Sequence, residues 1–314
     1  MKKIIAIDAG TSNLRIRIIK DKKIIFEKKS PNGVKIGKEL FIQNLYEFLK
    51  KIFEENKLEK EDIEYIVASG MITSSLGLKE VKHIKVPVNL KKIREKIEVC
   101  KLKEFNILLI PGIKVEKQYF LEDNLKSIDV IRGEETEVFG ILDKLDTKED
   151  FILLLPGSHN KIIEIREKNV VDFTTTMSGE LYEVLTKNTI LKNSVEGKFC
   201  NKINEKFLLL GYEMSKKYGI NQSTFMLRGL DLAQNLSLEE KENYLLGIII
   251  EGDIKAIYKN NYQNKYNKIV IVGNNIISNA LYLILKKLNI FSDIELILEN
   301  DFSVKGAMKI LKEE

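Results

Sequence analysis

Apolar and polar positions change period several times along this chain, and each change marks an element. Residues 4–8 are an apolar strand, and a polar, glycine-containing turn follows at 9–13. Leu14, Ile16 and Ile18 then alternate with Arg15 and Arg17, the period-two signature of a half-buried strand. Asp21 and Lys22 turn the chain into a third strand at 23–28, which completes an antiparallel meander. Beyond it the pattern predicts a helix over 38–56, a strand at 63–68, a basic helix at 89–98 and a strand at 106–110 ending in Pro111-Gly112.

The same grammar returns at residues 151–176. Setting Gly10 against Gly157 aligns Thr11 with Ser158, Asn13 with Asn160, Ile16 with Ile163 and Phe26 with Phe173. Helical periodicity follows at 178–190, 203–217 and 237–259. A strand is expected at 268–272, a helix at 277–289, a strand at 293–298 and a last helix at 302–312. Each half therefore reads β-β-β-α-β-α-β, and a duplication this far apart implies two lobes of like topology. The expected fold class is α/β, with two ribonuclease H-like lobes of the actin-type ATPase kind, mixed five-stranded sheets and a cleft between them. We set the first lobe at 1–140 and the second, with a helical insertion, at 141–314; the charged stretch Asp143–Asp150 ends the connection. Four prolines and no Ser/Gly-rich linker predict packed, hinged lobes.

Composition narrows the class. The chain is 314 residues long, 44% hydrophobic and 31% charged, which suits a globular protein with a sizeable core. Its 51 Lys+Arg and 46 Asp+Glu give a net charge of +5 spread along the chain, so no nucleic-acid groove is expected. Two cysteines without metal-ligand spacing exclude a disulfide framework, a structural zinc site and an iron–sulfur cluster. No stretch approaches the ~18 apolar residues of a membrane span, and Asp8 interrupts the N-terminal apolar run too early for a signal peptide. The expectation is a soluble, cytoplasmic protein without a membrane or nucleic-acid partner; a homodimer is compatible with it.

The two turns carry the first candidate chemistry. A triphosphate needs backbone N–H donors and close backbone approach, and Gly, Thr and Ser in tight turns supply both. Residues 8–13 (DAGTSN) put a carboxylate at a strand end beside Gly10, Thr11, Ser12 and Asn13, so Asp8 could hold hydrated Mg²⁺. Residues 156–161 (PGSHNK) offer Gly157, Ser158 and His159, with Lys161 to neutralise phosphate; closure of two such turns on one triphosphate would assemble the site. A buried strand ends in Gly273 and Asn274, candidate neighbours of adenosine.

Residues 131–140 (IRGEETEVFG) place Arg132, Glu134 and Glu135 just before an apolar helix. Acidic residues suit the positive end of any helix. One of these carboxylates could equally take the proton from an attacking hydroxyl, while Arg132 pairs with a substrate carboxylate. Ser178, Gly179 and Glu180 open another helix, where Ser178 is a natural cap and Glu180 could bond substrate hydroxyls. Arg228 is a further candidate contact for an anionic substrate. Gly133 and Gly140, with Gly306 and Ala307, suit close helix crossing.

Taken together, IAIDAGTSNLR (5–15), IPG (110–112), IRGEETEVFG (131–140), LLPGSHNK (154–161) and TTMSGEL (175–181) resemble the 2-dehydro-3-deoxygalactonokinase family within the actin/hexokinase/Hsp70 superfamily. Weaker matches are FMLRG (225–229), LLGIII (245–250) and SVKGAMKI (303–310). The resemblance implies ATP, Mg²⁺ and phosphorylation of 2-dehydro-3-deoxy-D-galactonate, a small sugar acid, at its 6-hydroxyl, a step in galactonate catabolism. It carries phosphate contact onto Asp8, Gly10, Thr11, Ser12, Gly157 and Ser158, adenosine contact onto Gly273, and the base onto Glu135, with Glu134 left open. Ala9, Asn160 and Asn274 stand where relatives differ. A kinase of a related acceptor such as 2-dehydro-3-deoxygluconate, or a nucleotide-binding regulator without transfer activity, are the alternatives.

Overall fold

The computed structural model describes residues 2–116, 128–145, 147–299 and 301–311. These form two compact units: the first is Met1–Lys148 with Lys168–Val170 and Asp301–Glu314, the second Glu149–Glu167 with Val171–Asn300. The division thus falls at 148/149, not 140/141, and the C-terminal helix counts with the first unit. Position 146 of the connecting stretch and position 312 of the expected last helix lie outside the described residues.

The first unit opens with the expected meander, β1 (Lys3–Ala9), β2 (Leu14–Lys20) and β3 (Lys23–Ser30), followed by α1 (Lys38–Glu55), β4 (Ile63–Gly70) and the short β5 (Ile84–Lys85). The predicted basic helix is only α2 (Leu90–Arg94). Residues 95–97 turn, and the chain then enters an edge strand that was not expected, β6 (Glu98–Leu102), paired antiparallel with β7 (Phe105–Leu109). The sheet order is β3-β2-β1-β4-β7-β6, six strands where five were expected. A five-residue edge strand exposing alternate side chains shows too short an alternation to compete with a basic helical pattern. A second sheet, also unexpected, joins β5, β8 (Ile113–Glu116) and β9 (Ile128–Ile131). Then comes α3 (Glu134–Leu145), whose first turn carries Glu134, Glu135 and Glu137 where the helix dipole favours anions. Ile5, Ile7, Leu14, Ile16 and Ile18 of the meander form one core with Phe41, Leu45 and Leu49 of α1.

The second unit repeats the plan with β10 (Phe151–Leu155), β11 (Asn160–Arg166), β12 (Asn169–Thr176), α4 (Ser178–Asn188), α5 (Glu205–Ala233), α6 (Leu238–Lys259) and α7 (Tyr262–Lys265). It closes with β13 (Lys268–Val272), α8 (Ile276–Leu288) and β14 (Asp293–Ile297). Its sheet order, β12-β11-β10-β13-β14, matches the first five strands of the other unit. In both, an antiparallel meander is extended by parallel strands, the ribonuclease H-like pattern of the actin-type fold. The expected helix at 203–217 instead runs on to 233, broken only where Gly219 takes φ 77°. A capping box of Ser237 and Glu240 starts α6. The core of this unit is its own, built on Ile152, Leu154, Ile269 and Ile271 under Tyr244, Ile248 and Leu281.

The last helix, α9 (Phe302–Leu311), crosses α3 in the first unit. The two backbones meet so closely that a Cβ on Gly306 would lie 1.7 Å from the Thr136 carbonyl oxygen. Gly140 and Gly306 are thus the small residues of this crossing, whereas Gly133, with φ 117°, precedes α3. Among the described residues no helix is long and apolar enough to cross a membrane.

Candidate active site

In the first unit the turn after β1 is anchored from behind. The carbonyls of Gly10, Thr11 and Ser12 accept N–H bonds from Val34 (3.2 Å), Lys35 (3.0 Å) and Gly33 (3.0 Å), and Gly10 N–H donates to the Asn13 carbonyl at 2.8 Å. With those carbonyls held toward the body, Thr11, Ser12 and Asn13 stand exposed as a polar rim. Lys35 adds a cation, its Nζ donating to Ser12 Oγ at 3.1 Å. The sequence reading missed Lys35, because it lies 23 positions from its partner and no local pattern joins them.

Asp8 is the penultimate residue of β1, half-buried and opposite Arg15 in the sheet register. Burial pushes its carboxyl above the usual range, Arg15 and Arg17 pull it down, and Glu134 raises it further. Arg17 is itself fixed by Glu27 at 2.7 Å, Asp301 at 3.0 Å and Ser303 Oγ at 3.1 Å.

The loop into α3 converges on the same end of the sheet. Gly133 stacks on Gly70, the last residue of β4, and a Cβ on Gly70 would stand 3.5 Å from Asp8 Oδ1. Glu134 is half-buried and accepts the Arg132 backbone N–H at 3.2 Å. Glu135 is sealed, with 0% exposure. Its Oε2 accepts the Gly133 N–H at 2.6 Å, while Oε1 is buried with no partner among the described residues. Burial, then the Glu134 charge, push this carboxyl up to about 8. Glu137, two residues on and not singled out from sequence, is pushed up to about 7 by burial and then by Asp8 and Glu134.

Arg132 is deeply engaged. Nη1 donates to the Thr73 carbonyl at 2.5 Å and to Thr73 Oγ1, and Nη2 donates to the Val81 carbonyl and reaches the His83 ring, both at 3.1 Å. Burial, with Arg132 and Lys114 nearby, lowers His83 to about 4, so its ring is neutral and can accept from Arg132. The histidine given no role from sequence is therefore part of this arginine's socket.

In the second unit, the turn of residues 156–159 leaves β10 with Gly157, Ser158 and His159 exposed. Gly157 N–H donates to Asn160 Oδ1 at 2.9 Å. The first turn of α4 lies directly on it: a Cβ on Gly179 would stand 2.1 Å from the Gly157 carbonyl, and Glu180 N–H donates to the Ser158 carbonyl at 2.9 Å. His159 and Glu180 pair at 2.5 Å. Lys161 begins inside β11 at 4% exposure, with Nζ donating to the His159 carbonyl at 3.1 Å. Gly273, with φ 147°, and the exposed Asn274 leave β13 beside this turn, because Asn275 caps α8 and donates to the Pro156 carbonyl at 3.1 Å.

Each unit thus gathers most of its expected residues at the carboxyl ends of its central strands, where ligands bind in open α/β sheets. Arg228 stands apart: it lies on α5, paired with Asp231 at 3.1 Å, and Asp231 is also held by Lys241 at 2.9 Å. Among the described residues no group of three or more His, Cys, Asp or Glu is arranged to hold a metal by itself.

Three relatives frame this geometry. The chain is 27% identical over 192 residues to a Rhizobium meliloti (strain 1021) protein named "Probable 2-dehydro-3-deoxygalactonokinase DgoK1", covering 60% of this chain and 58% of that one. It is 28% identical over 187 residues to the Escherichia coli (strain K12) 2-dehydro-3-deoxygalactonokinase, with the same coverage. The match therefore spans less than two thirds of the length of these curated relatives. A solved Sinorhizobium meliloti structure, described as a candidate 2-dehydro-3-deoxygalactonokinase, shares the fold at a TM-score of 0.83 and 19% identity over 98% of this chain and 97% of that one. The model of the 2-keto-3-deoxy-galactonokinase family matches residues 8–309, nearly the whole sequence, and the chain belongs to that family.

Proposed function

We propose that this protein transfers the γ-phosphoryl group of ATP to the 6-hydroxyl of 2-dehydro-3-deoxy-D-galactonate, and that Glu135 is the general base. The observation that carries this reading is the Glu135 carboxyl at the head of α3: one oxygen is anchored on the Gly133 N–H and the other is buried with no partner among the described residues. A buried acceptor with no donor is costly unless a ligand supplies one, and the acceptor's hydroxyl proton is such a donor. A carboxyl raised to about 8 also has the basicity that proton abstraction near neutral pH requires.

Family membership supports ATP as the donor and a sugar acid as the acceptor. The residues fit both. Asp8 offers a hard carboxylate for Mg²⁺, which when bound would neutralise charge developing on the phosphate oxygens. In the first unit Gly10, Thr11, Ser12 and Asn13 with Lys35, and in the second Gly157, Ser158 and His159 with Lys161, each offer backbone and hydroxyl donors and positive charge that suit phosphate. Gly273 and Asn274 suit the adenosine. Arg132, rigid in its socket, presents a fixed charge for the acceptor's carboxylate, and Gly179 and Glu180 suit its hydroxyls. Arg228 as an acceptor contact competes with its bond to Asp231. We place the activity in the cytoplasm, where the free Cys100 and Cys200 stay reduced, in a monomer or a homodimer.

The test is coupled ADP release with Mg-ATP over a panel of sugar acids. We expect 2-dehydro-3-deoxygalactonate to give the highest kcat/KM. A preference for 2-dehydro-3-deoxygluconate would change the acceptor, and turnover with none would favour a nucleotide-binding regulator.

A further inference from the structure

Deep in the second unit, α6 carries a carboxylate that sequence reading passed over. Asp253 is 1% exposed. Its Oδ1 accepts the Ser178 hydroxyl at 2.8 Å and the Thr176 hydroxyl, and its Oδ2 accepts Asn160 Nδ2 at 3.0 Å. Asn160, 2% exposed, uses its own Oδ1 to accept the Gly157 N–H at 2.9 Å. One buried charge therefore ties together the end of β12, the first residue of α4 and, through Asn160, the exposed turn of residues 157–159.

We infer that Asp253 is a positioning residue for nucleotide binding: its acceptor-only carboxylate orients the Asn160 amide and thereby shapes the Gly157 turn. This rests on the reading above that the turn holds phosphate. Donors and acceptors can be counted along the chain of bonds. An ionised carboxylate only accepts, so Asn160 must face it with its NH₂. That leaves the amide oxygen, not the nitrogen, pointing at the Gly157 N–H. Replace Asp253 by Asn and the logic fails. The new side chain keeps its oxygen on Thr176 and Ser178 and turns its NH₂ to Asn160. Asn160 must then flip to accept, which brings its own NH₂ against the Gly157 N–H, donor against donor. Exchanging the two residues restores every bond. In the Asp253→Asn, Asn160→Asp double variant, the amide now at position 253 donates to the carboxylate now at position 160. The second oxygen of that carboxylate accepts from Gly157.

Three proteins decide the matter: the wild type, D253N and the D253N/N160D exchange. Two quantities are measured, Mg-ADP affinity by titration calorimetry and hydrogen exchange at the Gly157 amide by NMR. D253N is expected to weaken Mg-ADP binding about tenfold or more, as loss of one ordered buried bond implies, and to speed Gly157 exchange. The exchange variant is expected to recover affinity to within about threefold and to restore protection. A merely structural aspartate predicts no such recovery. D253N binding Mg-ADP like the wild type, or the exchange variant binding no better than D253N, overturns the inference. If D253N fails to fold, the exchange variant decides alone: affinity more than about tenfold below wild type overturns it. If the wild type itself shows no Mg-ADP binding, the phosphate reading of the turn falls and the inference with it.

Discussion

Glu135, the base of the proposed mechanism, is poorly placed for folding when charged. Its carboxyl titrates near 8 in the folded protein, above the ordinary 4.5, because burial and Glu134 disfavour the charge. A folded-state pKa raised in this way makes a stabilising contribution that is complete below the unfolded value and lost as pH rises through about 8. Glu135→Gln removes the titration and keeps the shape. It should therefore raise Tm at pH 8.5 by at least about 2 °C relative to wild type and have little effect at pH 4.5, read by calorimetry. The same substitution should lower kcat by roughly 10²–10⁴, as expected on loss of a general base. In the wild type, kcat/KM should rise with pH toward a plateau above about 8, because only the ionised form accepts a proton. Glu134→Gln, already bonded to the Arg132 N–H, should cost far less. Near-normal kcat in E135Q with loss of activity in E134Q would move the base by one residue. Side by side in sequence, the two glutamates were indistinguishable; burial and hydrogen bonding separate them, and neither is a local property.

At the scale of elements, the contact of α3 with α9 holds the head of α3 in place. Gly306 admits the Thr136 carbonyl at a distance no side chain permits. Gly306→Ala should cost the ~1–3 kcal/mol of stability of an overpacked core site or more, read as a clear fall in Tm, and should reduce kcat because Glu134 and Glu135 ride on the displaced helix. Gly229→Ala, in α5 with open space around its Cβ position, is the control and should be neutral or slightly stabilising. Elements with strong period were legible in the sequence: both meanders, α1, α6, β13 and α8 start or end within a residue or two of the periodicity. What escaped was short or long-range. β6 exposes alternate residues on a sheet edge, β5, β8 and β9 are two to four residues each, and α5 continues past Gly219 where a stop was expected. Small residues flagged the α3–α9 crossing, with Gly140 and Gly306 on its two sides and Gly133 just before it.

For the whole molecule, the duplicated meander was the informative signal. It predicted two units of one topology, and both sheets follow that order. The return of α9 to the first unit had one signature, the small residues Gly140 and Gly306, which did not by themselves move the expected boundary. The candidate site was legible where glycine, hydroxyl and carboxylate residues cluster in sequence, at 8–13, 132–135 and 157–159. Lys35, Glu137, His83 and Asp253 were not, since each joins the site from tens of residues away or from the far side of a helical turn.

These readings all depend on phosphoryl transfer to one hydroxyl, which phosphorus NMR of a reaction mixture can follow as it happens. With enzyme, Mg-ATP and 2-dehydro-3-deoxygalactonate, we expect a phosphomonoester resonance coupled to the protons on C6, growing in step with ADP. Release of inorganic phosphate alone, or no consumption of ATP, would contradict it.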